Sequence, residues 1–279
     1  MTSKRGSARA PGSGREGSGA RCPYGLCDGS GFVIDFEANS ARRCECMPAR
    51  VARRLASRLQ GRIPTRYEGV SFERPPISEL PQPVLEALRA YTHDISASLA
   101  EGRGLWVVGD VGTGKTSVAM LVSKLAIAAG QTVAIYSLPR LLNLLREEIA
   151  HEAGVLALLD DLTAVDLLHI DDLGAHHSTG WALEQLYLLI DARYQAGRAI
   201  VATTNVKDNE LHPDGIARQL AAPLLGSKAA EGADQAMGPG GHLGARIVSR
   251  LIEICGDPLP LFGDDLRRPY RARGSLTLP

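Results

Sequence analysis

A glycine-rich turn followed by lysine and threonine carries the clearest chemistry in this sequence. The segment Gly109-Asp110-Val111-Gly112-Thr113-Gly114-Lys115-Thr116 matches the phosphate-binding pattern G-x-x-x-x-G-K-[ST]. Its glycines let the backbone wrap around a β-phosphate, while backbone N–H groups and a helix N-terminus supply positive potential. Lys115 is expected to reach the β- and γ-phosphates, and the Thr116 hydroxyl to bind Mg²⁺. Together with Ser117, the segment predicts a site for ATP or GTP.

Two adjacent acids end an apolar run further along the chain. Residues 165–170 are mostly apolar, and Asp171 and Asp172 follow directly. We expect Asp171 to hold the Mg²⁺ shell and Asp172 to orient or deprotonate the attacking water. Side chains alternate along a strand, so the two acids need not share one role. His169 is expected to be a core residue, and the pair Asp160-Asp161, in a helical context, to face solvent.

A polar strand end and a pair of arginines complete the catalytic candidates. Asn205 follows residues 199–204, and an amide at that edge can hold the lytic water or sense a γ-phosphate; a turn-forming asparagine is the alternative. Arg246 and Arg250 lie four residues apart, on one face of a predicted helix. One of them could neutralise charge on the γ-phosphate of a neighbouring subunit, and a solvated helix face is the other interpretation.

Four cysteines near the N-terminus form two close pairs. Cys22 and Cys27 have four residues between them, and Cys44 and Cys46 have one. Four thiolates suit tetrahedral Zn²⁺, which would stabilise a unit of about 25 residues that cannot bury a core of its own. Two disulfides, disfavoured in a reducing cytosol, and a redox or iron–sulfur site are the alternatives. Cys255 lies in an apolar helical run and is expected to be a small buried hydrophobe.

The elements that must position these groups alternate between strands and helices. Predicted strands cover 105–108, 132–136, 165–170 and 198–203, and predicted helices cover 83–101, 116–129, 138–152 and 181–195. This alternation indicates an α/β domain with a parallel sheet covered on both faces. The Gly/Ala-rich residues 226–244 are expected to form a mobile loop.

Composition divides the chain into a basic arm and an acidic body. Residues 1–62 hold 12 Lys and Arg against 5 Asp and Glu, an excess that residues 63–279 balance with opposite sign. The interpretation is a disordered basic tail at 1–20, a zinc module at 21–48, a basic amphipathic helix at 49–62 and the main domain at 63–279. The arm indicates an acidic or polyanionic partner, or a merely solvated segment. Without a long apolar run or a signal-like N-terminus, we expect a cytoplasmic protein and no membrane partner.

The motifs occur in an order that resembles the DnaC/DnaI/IstB group of AAA+ ATPases, the bacterial and phage replicative helicase loaders. The segments that carry the resemblance are 63–67 with 71–73, 109–116, 167–174, 184–187 with 193–194, 203–205, 245–251 and 265–267. The resemblance implies a P-loop AAA+ core with a parallel five-stranded sheet, without a full helical lid, that hydrolyses ATP. It also implies that Asn205 is the sensor I residue.

The same resemblance implies a homo-oligomer and assigns roles to three arginines. Arg250 would be the arginine finger acting on a neighbouring subunit, with Arg246 as the second candidate. Arg267 would be the sensor II arginine, with Arg268 and Arg271 as alternatives. Asp172 departs from the pattern, because most AAA+ enzymes have glutamate there.

The resemblance implies a function in DNA replication. The zinc module would grip the replicative helicase, and the oligomer would deliver it to single-stranded DNA, with Arg140 and Arg146 as candidate DNA-backbone contacts. Two alternatives stay open: an IstB-like transposition helper ATPase, and a zinc-dependent interaction adaptor whose nucleotide site acts only as a switch.

Overall fold

The computed structural model of the chain describes residues 22, 24–27, 32–35, 40–46, 59, 62–149, 154–174, 180–206, 211, 213–217 and 239–266. Contacts divide the chain into two units, Met1–Arg53 and Arg54–Pro279. The predicted tail at 1–20, most of the predicted helix at 49–62, and Arg267, Arg268 and Arg271 lie outside the described residues. The predicted boundaries at residues 20, 48 and 62 therefore stay predictions.

The N-terminal unit contains one small antiparallel sheet. Strand β1 (Phe32–Asp35) pairs with β2 (Ser40–Arg43), so that Phe32 lies opposite Arg43 and Asp35 opposite Ser40. Two short strands of this kind are marginal alone. The described residues of this unit also include the four cysteines Cys22, Cys27, Cys44 and Cys46.

The second unit is built on the expected parallel sheet of five strands. The strands are β3 (Leu105–Gly109), β4 (Val133–Ser137), β5 (Leu167–Leu173), β6 (Ala199–Asn205) and β7 (Leu259–Leu261), in the spatial order β4-β5-β6-β3-β7. All neighbours pair in parallel, with Gly109 opposite Asn205 and Ser137 opposite Asp171. This register brings the predicted phosphate-binding turn, the acids and Asn205 to one edge of the sheet.

Helices flank this sheet, besides a helical segment at 213–217. They are α1 (Gln82–Thr92), α2 (Ile95–Ala100), α3 (Lys115–Ala128), α4 (Leu138–Glu148), α5 (Gly154–Ala164), α6 (Gly180–Gln195) and α7 (Pro239–Cys255). Buried residues of α1, α2 and α3 share one core with the strands, and α6 packs against α7. Residues 256–266, all described, contain β7 and no helix. No helix among the described residues has the length and apolar character that crossing a bilayer requires.

Three predicted element boundaries were wrong. The helix predicted at 83–101 is two helices, because the Asp94 carboxylate accepts a hydrogen bond from the Ala97 N–H at 2.9 Å and caps a new helix. The helix predicted to reach residue 152 ends at Glu148. The loop predicted at 226–244 was wrong in its second part, because α7 begins at Pro239 and is anchored by its buried residues Ile247 and Leu251. Residues 226–238 lie outside the described part.

Candidate functional site

The turn between β3 and α3 has the shape that phosphate binding requires. Gly112 and Gly114 both have positive φ, of 89° and 95°, and Gly114 caps α3 so that its first N–H groups point into the turn. Lys115 is buried, with 6% of its surface exposed, and its ammonium donates to the Asp110 carbonyl. The Thr113 hydroxyl donates to the same carbonyl at 2.9 Å and closes the turn. The turn is thus preformed around its lysine.

The predicted acids and Asn205 meet the turn at the sheet edge. The Thr116 hydroxyl donates to Oδ1 of Asp171 at 3.1 Å, so a hydroxyl and a carboxylate oxygen lie side by side. Such a pair of oxygen ligands fits Mg²⁺. The Asn205 amide donates to Oδ1 of Asp172 at 2.6 Å. Residues far apart in sequence therefore form one cluster.

A bulge in β5 sets the direction of the second acid. Asp172 has a φ of +63°, and the pairing of β5 with β6 shifts between Ile170 and Leu173. Ile170 lies opposite Ala202, and Leu173 opposite Thr204, so two acids face the single residue Thr203. Aspartate tolerates this backbone conformation better than most residues, which gives a physical reason for the shorter acid at this position.

These groups line a cavity of about 850 Å³. Gly112, Gly114, Lys115, Thr116 and Ser117 form one wall, and Asp171, Asp172, Thr203 and Asn205 form another. A third wall is made of Arg66, Tyr67, Gly69, Val70, Arg74, Pro75 and Pro76, and the lining is completed by Val111 of the turn and Leu266 of the C-terminal segment. The Lys124 ammonium donates to the carbonyls of Glu68 and Val70 at 2.8 Å each and fastens this third wall to α3. The cavity is large enough for a nucleotide.

The segment after β7 crosses the phosphate-binding turn. The Leu266 N–H donates to the Gly112 carbonyl at 3.0 Å, and the Gly263 N–H donates to the Asp110 carboxylate at 3.4 Å. The φ of 89° at Gly112 requires glycine, whereas the Asp265 carboxylate, which a Cβ there would meet at 2.0 Å, ends an exposed side chain that can turn aside. Arg267 follows directly in sequence and lies outside the described residues.

The two candidate finger arginines differ in their surroundings. The Arg250 guanidinium pairs with Asp191 at 2.9 Å and with Glu253 at 3.1 Å, and it lies 4.1 Å from the centroid of the Tyr194 ring. Arg246, one turn earlier, is exposed. Among the described residues that line the cavity, neither arginine is present. Both lie outside the cluster formed by the other predicted catalytic residues.

Two polar residues outside the cavity, Asp161 and His169, test the expectations about burial. Asp161 is fully buried, so the expectation that it faces solvent was wrong; it lies on the packed side of α5 with Leu158 and Leu162. His169 is a buried core residue, as expected, with Nδ1 at 2.9 Å from the Ser123 hydroxyl. Burial, partly offset by Asp171, lowers the pKa of His169 to about 4, so the ring is neutral at neutral pH.

Thr203 contacts both acids, which the sequence did not lead us to expect. Its hydroxyl donates to Oδ1 of Asp171 at 2.7 Å and accepts from the Asp172 N–H at 2.8 Å. The available signal was its position on β6, directly before the polar end of the strand. Only the bulge in β5 brings both acids to it.

The four N-terminal cysteines converge as predicted. Their sulfur atoms lie within 4.8 Å of one another, with Cys22 at 3.6 Å from Cys44 and Cys27 at 3.6 Å from Cys46. Thiolates about 2.3 Å from a tetrahedral zinc ion are separated by about 3.8 Å, whereas a disulfide bond is about 2.05 Å long. All four cysteines are free thiols in the structure. The arrangement fits a metal centre and does not fit two disulfides.

The environment of Cys22 favours its thiolate form. Burial opposes ionisation, but backbone hydrogen bonds from Cys27, Tyr24 and Leu26 outweigh it and lower the pKa of Cys22 to about 6. Burial and the neighbouring thiols raise the pKa of Cys46 to about 12, so the four sulfur atoms do not all ionise together without a cation among them. Cys255, in contrast, lies outside this cluster and is only half-buried, although a buried residue was expected; its Sγ lies 3.5 Å from the Ile200 carbonyl, and desolvation raises its pKa.

The parallel sheet, the phosphate-binding turn and the acids at the strand ends define a P-loop ATPase of the AAA+ class. Residues 50–215, more than half of the chain, match the family of IstB-like ATP binding proteins. The chain belongs to this family, whose members are ATPases. The family match covers the turn, both acids and Asn205.

One solved structure shares this fold, and two others match less closely. The crystal structure of the DnaC helicase loader matches with a TM-score of 0.53 and 22% identity, covering 72% of this chain and 100% of that one. The DnaI crystal structure matches with a TM-score of 0.46 and 19% identity, covering 72% and 89%. Domain III of the Thermotoga maritima replication initiation protein DnaA gives 0.46 and 19%, covering 73% and 69%. No curated protein matched significantly.

Proposed function

We propose that the cavity binds ATP together with Mg²⁺, that the protein hydrolyses the ATP, and that this hydrolysis drives a cycle of helicase loading. The observation that carries the proposal is the convergence of Lys115, Thr116, Asp171, Asp172 and Asn205 on one cavity. Lys115 and the turn from Gly109 to Ser117 hold the phosphates. When bound, Mg²⁺ neutralises phosphate charge, and Thr116 and Asp171 are the residues that hold it. Asp172 and Asn205 share a hydrogen bond and are placed to orient the attacking water.

The proposed cycle requires a second copy of the chain. In this proposal an arginine from one subunit reaches the γ-phosphate bound by the next. Arg250 must first leave Asp191 and Glu253, so assembly exchanges contacts within a chain for contacts between chains. Arg246 is exposed and needs no such exchange. Arg267 is proposed to read the bound phosphates within its own chain, as the segment that precedes it already contacts the turn.

Support for helicase loading comes from two sources. One is the fold shared with a protein described as the DnaC helicase loader, over the whole of that protein. The other is the four-cysteine centre, which builds a separate N-terminal unit that can hold a partner while the ATPase domain changes state. We propose that zinc occupies this centre and that the replicative helicase is the partner.

Single-stranded DNA is the proposed second partner. Arg140 and Arg146 are exposed on α4, and the Arg146 guanidinium lies 5.4 Å from the centroid of the Trp181 ring on α6. This aromatic neighbour was not expected from the sequence, because Trp181 lies 35 residues further along the chain. A cation next to an aromatic face can contact a phosphate and a base at once, which suits an extended strand.

A pull-down with the replicative helicase of the same cell tests the loading proposal. The full chain and a Cys22→Ser/Cys27→Ser variant are compared, with Cys255→Ser as a matched control that removes a cysteine outside the metal centre. We expect the double variant to lose zinc, measured by atomic absorption, and helicase binding together, and the control to keep both. Helicase capture by the zinc-free variant, or by none of the proteins, would contradict the assigned role.

Two other functions remain candidates, and the family match favours the first. An IstB-like transposition helper would have the same ATPase site and would stimulate a transposase rather than bind a helicase. A zinc-dependent adaptor with a nucleotide switch would bind ATP without turnover under any condition. Steady-state ATP hydrolysis, measured with helicase, transposase and single-stranded DNA in turn, separates the three.

A further inference from the structure

We propose that Thr203 is a positioning residue that holds Asp171 and Asp172 in their working arrangement. The inference rests on the proposed ATPase site and adds a residue that the family resemblance did not single out. It follows from the bulge in β5, which brings both acids opposite this one threonine. A regular strand pair would leave one residue of β6 opposite each acid.

The Thr203 hydroxyl has only one proton to donate, and its direction is defined. It donates to Oδ1 of Asp171 at 2.7 Å and accepts the Asp172 N–H at 2.8 Å. The same Oδ1 accepts the Thr116 hydroxyl at 3.1 Å. The Asp171 carboxylate is therefore held from two sides, by the helix that follows the phosphate turn and by β6.

The second bond acts on the backbone of the bulge. At a φ of +63°, Asp172 departs from the regular parallel ladder, and its N–H needs another acceptor. Thr203 supplies that acceptor, and the Asp172 side chain then meets the Asn205 amide at 2.6 Å. One hydroxyl thus fixes a rotamer of the first acid and the backbone of the second.

Burial makes both contacts effective. Thr203 is 2% exposed, so water does not compete strongly for its hydroxyl. Its neighbour Thr204 is also fully buried, but its hydroxyl accepts from Nε1 of Trp106 at 2.9 Å, away from both acids. Adjacent residues of one strand therefore provide a test residue and a matched control.

The experiment compares Thr203→Val, Thr203→Ser and Thr204→Val with the wild-type full chain. ATP turnover is measured, and affinity for a fluorescent ATP analogue is titrated with Mg²⁺ and separately with EDTA. We expect Thr203→Val to lower turnover by roughly 10- to 100-fold, the usual effect of removing a group that orients a metal ligand. We also expect it to reduce the gain in affinity that Mg²⁺ provides, while affinity in EDTA is unchanged.

The two other variants separate positioning from simple packing. Thr203→Ser keeps the hydroxyl and should restore both turnover and the magnesium effect. Thr204→Val loses a buried hydroxyl of the same strand and should change melting temperature rather than magnesium dependence. Should Thr203→Val fail to fold, Thr203→Ala removes the hydroxyl with less crowding beside Asp171 and carries the same expectation.

The outcomes distinguish this inference from the proposed function. A wild-type chain that hydrolyses ATP, with a Thr203→Val variant no more affected than Thr204→Val, would overturn the positioning role alone. A wild-type chain without magnesium-dependent nucleotide binding would overturn both. Loss of turnover in Thr203→Val without any change in the magnesium effect would contradict the proposed hold on Asp171.

Discussion

Arg193 holds the sheet beneath the site through backbone carbonyls. Its side chain is fully buried, and its guanidinium donates to three buried carbonyls, those of Leu162 at 2.6 Å, Val165 at 3.1 Å and Ala199 at 2.5 Å. Two part-buried carbonyls, of Thr163 and Asp166, accept longer bonds at 3.3 Å each and are left out of the estimate below. These carbonyls lie in α5, in the turn before β5 and at the start of β6. We expect Arg193→Leu to destabilise the ATPase domain strongly, because leucine offers no donor to any of them.

The size of the effect follows from the number of abandoned acceptors. A buried acceptor left without a donor costs about 1–3 kcal/mol, so three imply roughly 3–9 kcal/mol. Relief from burying a guanidinium charge brings the expected loss toward the lower end of that range. A typical free energy of unfolding is about 5–15 kcal/mol, so this loss is a large share of the total.

Urea unfolding provides the assay, and Arg198→Leu provides the control. Arg198 lies nearby and pairs with Asp166 at 2.8 Å, but its side chain is 39% exposed. Such a partly exposed pair is worth about 0–1 kcal/mol. We expect Arg193→Leu to lower the urea midpoint far more than Arg198→Leu, with an unchanged slope. Equal losses in the two variants would show that the buried hydrogen bonds of Arg193 add nothing beyond a surface ion pair.

Two further predictions concern the site itself. Gly112→Ala should weaken ATP binding, because alanine rarely adopts the φ of 89° that shapes the phosphate-binding turn. Gly130→Ala carries a similar strain, at a φ of 78°, but lies after α3 and should leave ATP affinity unchanged. A fluorescent ATP titration compares them, and equal affinities would contradict the role of this backbone conformation. Asp172→Asn should keep ATP binding and lower turnover by roughly 10²- to 10⁴-fold, the usual contribution of a general base, while Lys115→Ala should lose binding. Unchanged turnover in Asp172→Asn would remove this acid from the proposed chemistry.

The sequence predicted the parts of the site that depend on local signals. The spacing of glycines, lysine and threonine predicts the turn from Gly109 to Thr116, and the apolar runs before Asp171 and Asn205 predict two strand ends. In a parallel sheet, the carboxyl ends of strands share an edge, so the convergence of these residues follows from strand direction alone. The start of a separate helix after Asp94 could also have been predicted, because an aspartate before a new apolar run is a recognised helix start.

The remaining features depend on contacts between distant residues. Asp161 and Asp160 look alike in sequence, and only the packing of α5 decides which is buried. The three-residue strand β7 is too short to give a periodic pattern. The role of Thr203 requires a bulge on another strand, and nothing in the spacing of Asp171 and Asp172 predicts that bulge.

The glycines of the phosphate-binding turn serve two partners, and this links the turn to the C-terminal segment. A Cβ on Gly109 would lie 1.8 Å from the carbonyl of Leu261 in β7, and one on Gly112 would meet Asp265. Because the backbones at Gly109 and Leu261 are in contact, a change in the shape of the turn at Gly109 requires β7 to move with it. The Leu266 N–H also donates to the Gly112 carbonyl, so a shift of this carbonyl on phosphate binding would change a hydrogen bond of the C-terminal segment.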